Sequence, residues 1–158
     1  LNGHYMREAG DARLADDVLK ILKSRGTPMM AETNTRLIAA MPGLKERAKT
    51  LVELADATYY LTASRPLALD EKASKLMTHE AKSMLAEVVP VLATALDWSP
   101  PILEAAVKAL AEEQGWKLGN LAQPLRAALT GRTTSPGIFD VLAVLGRDES
   151  LARIRDQA

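Results

Sequence analysis

The chain has 158 residues and no cysteine, which excludes disulfides, thiolate nucleophiles and every sulfur-based zinc site. Only two histidines occur, His4 and His79. They are far apart and lack ligand-spaced partners, so neither a metal centre nor a histidine acid–base pair is supported. His79 and Glu80 follow Thr78 at a predicted helix start, where capping and solvent exposure account for both. No apolar run approaches the roughly 20 residues needed to span a bilayer. The first residues, LNGHYMREAGDARLADD, are polar and mixed in charge, unlike a signal peptide. The chain also lacks an initiator methionine and opens in a helical pattern, so a fragment of a longer, cytoplasmic protein is expected. Aromatics make up 4% of the residues, which leaves Leu, Ala, Val and Ile to build the core and suits closely packed helices.

Neither sign of charge predominates: the formal net charge is +0, whereas a nucleic-acid binder often carries a basic excess. The distribution is uneven. Between Pro66 and Trp116, Asp70, Glu71, Glu80, Glu87, Asp97, Glu104, Glu112 and Glu113 outnumber Lys72, Lys75, Lys82 and Lys108. Arg47 and its neighbours lie on one side of this acidic middle, and Arg126, Arg132, Arg147, Arg153 and Arg155 on the other. Two basic ends suit contacts to phosphates at separate places, and a solvated helical surface is the plainer account.

What is present reads as helix almost throughout. Apolar spacing predicts a helix over 16–25, closed by Gly26 and Pro28. Another is predicted over 33–41 and stopped at Pro42-Gly43. A long helix over 44–63 should bury Leu44, Ala48, Leu51, Ala55 and Thr58, with Arg47 projecting from the edge of that stripe. Residues 64–70 read as a linker, because Pro66 disfavours helix in Arg65. Two helical subdomains, 1–68 and 69–158, are expected, with the boundary between Arg65 and Thr78. The second opens with a helix over 78–96 that Pro90 should kink or split. Ser99-Pro100 marks the next start, Glu104 and Lys108 form an i,i+4 pair, and Gly115 marks the stop. Nothing alternates like a strand, so the fold class is all-α.

Chemistry is sparse. Asp16-Asp17, Asp70-Glu71 and Glu112-Glu113 are adjacent pairs that diverge on a helix and read as helix-end or solvated charges. No nucleophile-elbow pattern accompanies any serine. The better-placed groups lie between Leu118 and Ile154. Arg126 falls on a helix beside Leu125 and Leu129, which Gly131 should end. A guanidinium there can fork onto base edges or phosphates and can stack on a base. A polar elbow from Thr130 to Pro136 follows. Ser135 is expected to cap the next helix and Pro136 to fix its first turn, leaving free amides for a base edge or a phosphate. Phe139 fits the apolar run of Val141, Leu142 and Leu145 and reads as packing. Ile138 suits either packing or contact.

This last stretch closely resembles the C-terminal end of bacterial glutamyl-tRNA synthetases. The likeness runs through Gln123-Pro124-Leu125-Arg126-Ala127-Ala128-Leu129-Thr130-Gly131, Ser135-Pro136-Gly137-Ile138-Phe139 and Leu145-Gly146-Arg147. LNGHYMRE similarly resembles the family's Leu-Asn-x-x-Tyr helix. The resemblance implies an all-helical anticodon-binding region, two subdomains forming an α-helix cage, that grips the anticodon of tRNA-Glu. It places Arg47, in Leu44-Lys45-Glu46-Arg47-Ala48, against the first anticodon base. Arg126, Ser135 and Ile138 fall at the second and third bases, with Pro136 shaping the turn. Ser135 stands where the family often has Thr, which keeps the hydroxyl. Arg132 and Thr134 on the elbow are expected to meet the RNA backbone.

The parent enzyme would activate glutamate with ATP and Mg and esterify it to tRNA. This piece should carry no catalytic residue, metal or cofactor, and should be a monomer away from membranes. Lys72-Ala73-Ser74-Lys75 looks like the lysine-rich ATP loop of class I synthetases. No His-Ile-Gly-His partner or βαβ pattern accompanies it, so it is set aside. A helical protein-interaction scaffold is the alternative, and a small helical enzyme a more distant one.

Overall fold

The computed structural model describes residues 10–27, 33–46, 48–63 and 65–158. Among them are nine α-helices, a 3₁₀ turn and no strand, in line with the all-α reading. The chain divides into two compact units, Leu1–Ala63 and Ser64–Ala158. No helix among the described residues is long and apolar enough to cross a membrane.

In the first unit, α1 (Asp11–Ser24) begins earlier than predicted, because Leu14 continues the buried i,i+4 series of Val18 and Leu22. It packs against α2 (Thr33–Lys45) and α3 (Leu51–Ala57), and a 3₁₀ turn, Tyr59–Leu61, follows. Lys45 Nζ reaches Asp11 Oδ1 at 2.8 Å, and Arg25 Nη1 reaches Asp56 Oδ1 at 2.8 Å.

Two sequence expectations fail here. Pro42 does not stop α2, which runs on to Lys45. The single long helix over 44–63 is instead broken, with a fresh start at Leu51. The cause is local. The Thr50 hydroxyl accepts from Glu53 N at 3.0 Å, and Glu53 Oε2 accepts from Lys49 N at 2.8 Å. This is a Thr-x-x-Glu capping arrangement that satisfies amides a helix start would otherwise orphan. The new register buries Leu54 and exposes Val52. His4, Pro28 and Arg47 lie outside the described residues.

The second unit contains α4 (Glu71–Leu76), α5 (His79–Ala93), α6 (Pro100–Gln114), α7 (Leu118–Thr130), α8 (Ile138–Leu145) and α9 (Arg147–Gln157). Helix α5 packs on α6, α7 and α9, while α7 also meets α4, α8 and α9. Side chains of Asp70 and Thr78 cap α4 and α5 by accepting from Ala73 N and Ala81 N at 2.8 and 3.1 Å. Pro90 does not split α5, and Pro124 likewise sits inside α7. Each proline deprives a carbonyl four residues back of its donor. Those residues, Ala86 and Asn120, are exposed, so water can replace the missing N–H. Helix α5 ends at Ala93, short of the predicted end at Leu96, which is 99% exposed. The predicted Glu104–Lys108 pair is present at 2.6 Å.

The irregular segment expected as a linker is tied to the body of this unit. Asp70 N donates to Gly131 O at 2.9 Å, and Arg65 Nε donates to Asp156 Oδ2 at 2.9 Å. That hydrogen bond to Asp156 raises the Arg65 guanidinium above its ordinary pKa. At Gly131 (φ +77°), an added Cβ would lie 2.6 Å from the Ala68 carbonyl oxygen.

Gly115, also a left-handed helix stop with φ +73°, has open space around it. Gly115→Ala should therefore cost only the conformational penalty of about 1 kcal/mol. Gly131→Ala should cost at least about 1 kcal/mol more, because the backbone clash adds to it. Urea unfolding of both variants checks this, and equal losses would contradict the close approach at Ala68.

Candidate nucleic-acid interface

Helix α7 buries Leu121, Pro124, Leu125, Ala127, Ala128, Leu129 and Thr130. From Pro124 through Gly131 every residue is buried except Arg126, which is half-buried. The helix end is thus closed on nearly all sides, and one guanidinium leaves it. Arg126 Nε donates to Ser135 Oγ at 3.0 Å, and Ser135 Oγ donates to the Pro136 carbonyl at 2.7 Å. No partner among the described residues engages the two terminal nitrogens of Arg126. A guanidinium held through Nε keeps its outer N–H fork for a planar acceptor pair.

The elbow is shaped by one hydroxyl. Thr130 Oγ1 donates to Arg126 O at 2.9 Å and accepts from Arg132 N at 3.2 Å. Sequence reasoning passed over Thr130 as a functional position, although a hydroxyl next to a terminating glycine is a plain signal for such a bond. Arg132 and Thr134 are exposed on the elbow, while Ser135 and Pro136 are half-buried. Ile138 retains 4% exposure, so its side chain faces the core. Phe139 is half-buried.

Ser135 does not cap α8. The cap position is Gly137, without a side-chain bond, because the Ser135 hydroxyl is engaged by Arg126 and Pro136. Asp140 lies in the first turn of α8, with Oδ2 only 3.4 Å from where a Gly137 Cβ would sit. A carboxylate there already complements the helix N-terminus. A phosphate would meet like charge, whereas the donor groups of a base edge would not. Beside Arg126, one turn earlier on α7, Gln123 borders an open depression of about 250 Å³ lined also by Thr78, Met84, Asn120 and Pro124.

The arginines grouped by sequence as one basic flank are divided by the structure. Arg147 Nη2 donates to the Ala95 carbonyl at 2.7 Å, and its guanidinium lies 5.4 Å from the Trp98 ring centroid. Trp98 Nε1 in turn donates to Leu142 O at 2.6 Å. Arg153 keeps 1% exposure and bonds Glu149 Oε2 and Leu129 O, each at 2.8 Å. It cannot meet a phosphate, contrary to its place in the expected basic flank. The signal was present in part: Arg153 borders the helical face marked by Ser150, Leu151 and Ile154, which are buried. Arg132, Thr134 and Arg155 are exposed. No group of three or more His, Cys, Asp or Glu among the described residues could hold a metal ion.

A family model described as an anticodon binding domain matches residues 13–158. The chain belongs to the anticodon-binding domain family. It is 56% identical over 165 residues to a glutamate–tRNA ligase of Afipia carboxidovorans, covering 100% of this chain and 35% of that protein. It is also 55% identical over 163 residues to glutamate–tRNA ligase 1 of Methylorubrum extorquens, covering 99% of this chain and 34% of that protein. This anticodon-binding domain thus spans about a third of the length of those relatives. A crystal structure of a glutamate tRNA ligase from Elizabethkingia meningosepticum, in complex with its amino acid, shares the fold. There the TM-score is 0.81 at 24% identity, over 99% of this chain and 30% of the other.

Removing the acceptor on Ser135 tests the local geometry. Ser135→Ala should speed solvent exchange of the Arg126 Nε proton severalfold, read by NMR, and lower stability by about 0.5–1.5 kcal/mol. Unchanged exchange would mean that Arg126 is not held at this point.

Proposed function

We propose that the second unit reads unpaired anticodon bases of tRNA-Glu, as the recognition module of a glutamate–tRNA ligase. The support comes from the presentation of Arg126: a braced guanidinium with its outer fork open, on an otherwise buried helix end. Single-stranded bases are recognised by hydrogen bonds to exposed edges and by stacking. Arg126 supplies the fork, and Ser135 and Pro136 shape the turn beside it. Ile138 supplies its backbone and a core anchor at the start of α8. Arg132 and Thr134 stand on the exposed elbow, where an RNA backbone would pass. Arg47, in the first unit, is proposed separately for the first base. The residues named contact RNA and carry no chemistry. In the longer parent, ATP with Mg would activate glutamate in a separate catalytic body, in the cytoplasm, with the protein acting as a monomer.

A titration with an anticodon stem-loop, compared with one changed in all three anticodon bases, tests the reading. The unchanged stem-loop should bind more tightly. Arg126→Ala should cost about 1–3 kcal/mol of that affinity, while Lys82→Ala, at an exposed position on α5, should leave it nearly unaltered. Equal affinity for the two RNAs would refute base reading and favour a protein-docking role.

A further inference from the structure

Arg153 is a buried cation with 1% exposure, on the last helix, in a place no RNA can touch. Its Nη1 donates to the Leu129 carbonyl at 2.8 Å, and its Nε to Glu149 Oε2 at 2.8 Å. Leu129 is the penultimate residue of α7, so its carbonyl has no helical donor to receive. A guanidinium is suited to that spot, because it carries the charge that a helix C-terminus favours and several donors in one plane. Glu149, one turn earlier on α9, balances the charge.

Two further bonds close the same helix end: Asp70 N to Gly131 O at 2.9 Å, and Arg132 N to Thr130 Oγ1 at 3.2 Å. All three act on the last turn of α7 and the two residues after it. Arg126 lies one turn before that end, and the elbow that returns to its Nε at Ser135 departs from it.

We propose that Arg153 is a positioning residue for base reading. Through the Leu129 carbonyl it sets the last turn of α7, and so holds the Arg126 fork and the 130–135 elbow in their reading geometry before RNA arrives. This rests on the RNA-reading function argued above. A binding surface ordered in advance loses less entropy on association than one ordered by its ligand.

The test uses the full chain. Hydrogen exchange without RNA should show the Gly131 and Arg132 amides already protected, changing less than about threefold when the stem-loop is added. Amides that exchange freely until RNA binds would overturn the proposal. A paired variant, Arg153→Met with Glu149→Leu, removes both charges, so neither is left buried alone. Provided it melts cooperatively, it should bind the stem-loop about tenfold more weakly and lose most of its preference over the altered triplet. Lys82→Met, at an exposed position on α5 outside the proposed interface, should stay within about twofold. A folded paired variant with unchanged affinity and preference would defeat the role of Arg153 while leaving base reading intact. Should that variant not fold, Arg153→Lys, which keeps a cation beside Glu149 but loses the planar fork that reaches Leu129 O, decides the matter by the same two titrations. Wild-type chain that does not distinguish the two stem-loops would refute base reading itself, and this inference with it.

Discussion

A helix that ends inside a protein must find donors for its last carbonyls, and α7 faces this problem in full. Its final turn is buried on all sides but one. Two groups from distant positions and one from the helix itself answer it: the Arg153 guanidinium on Leu129 O, the Asp70 amide on Gly131 O, and the Thr130 hydroxyl on Arg126 O. Gly131 permits this convergence, because its left-handed turn brings the chain against the Ala68 carbonyl without a side chain in the way. The exit direction of the elbow follows from these constraints, and with it the position of Ser135 beside Arg126.

The arginines of the second unit show how one residue type is put to different uses by its neighbours. Arg153 is enclosed and closes a helix end. Arg147 lies over Trp98 and holds the α5–α6 loop through Ala95. Arg126 is half enclosed, gripped through one nitrogen and open at two. Only this last arrangement leaves a forked donor facing outward. Charge counting treats the three as equivalent, whereas burial and hydrogen bonding separate them.

Much of the architecture was legible along the chain. Gly115 and Gly131 mark helix ends, Glu104 and Lys108 pair, and Thr78 opens α5, because each depends on residues within one turn of another. The errors arose where two local rules competed. Over 44–63 the apolar period argued for one helix, but the Thr50 and Glu53 cap won, since it satisfies amides that a continuous reading ignored. At Pro42 and Pro90 the breaker rule overstated its case: a lost hydrogen bond is tolerable within a packed helix. Ser135 looked like a cap from its place before Pro136, yet its hydroxyl was already engaged by an arginine nine residues earlier in the chain. That partner could not be inferred from spacing.

What the sequence by itself determined is the helical class, most helix ends, the absence of thiols, and the stretch where an arginine meets a polar turn. These are set by period, capping and composition, all short-range. Tertiary structure alone decided that Arg126 keeps its outer fork open, that Ser135 braces it rather than capping α8, and that Arg153 lies within the core. Each of those depends on a hydrogen bond between elements brought together only when the helices pack, and no local pattern specifies which distant carbonyl or hydroxyl will be there.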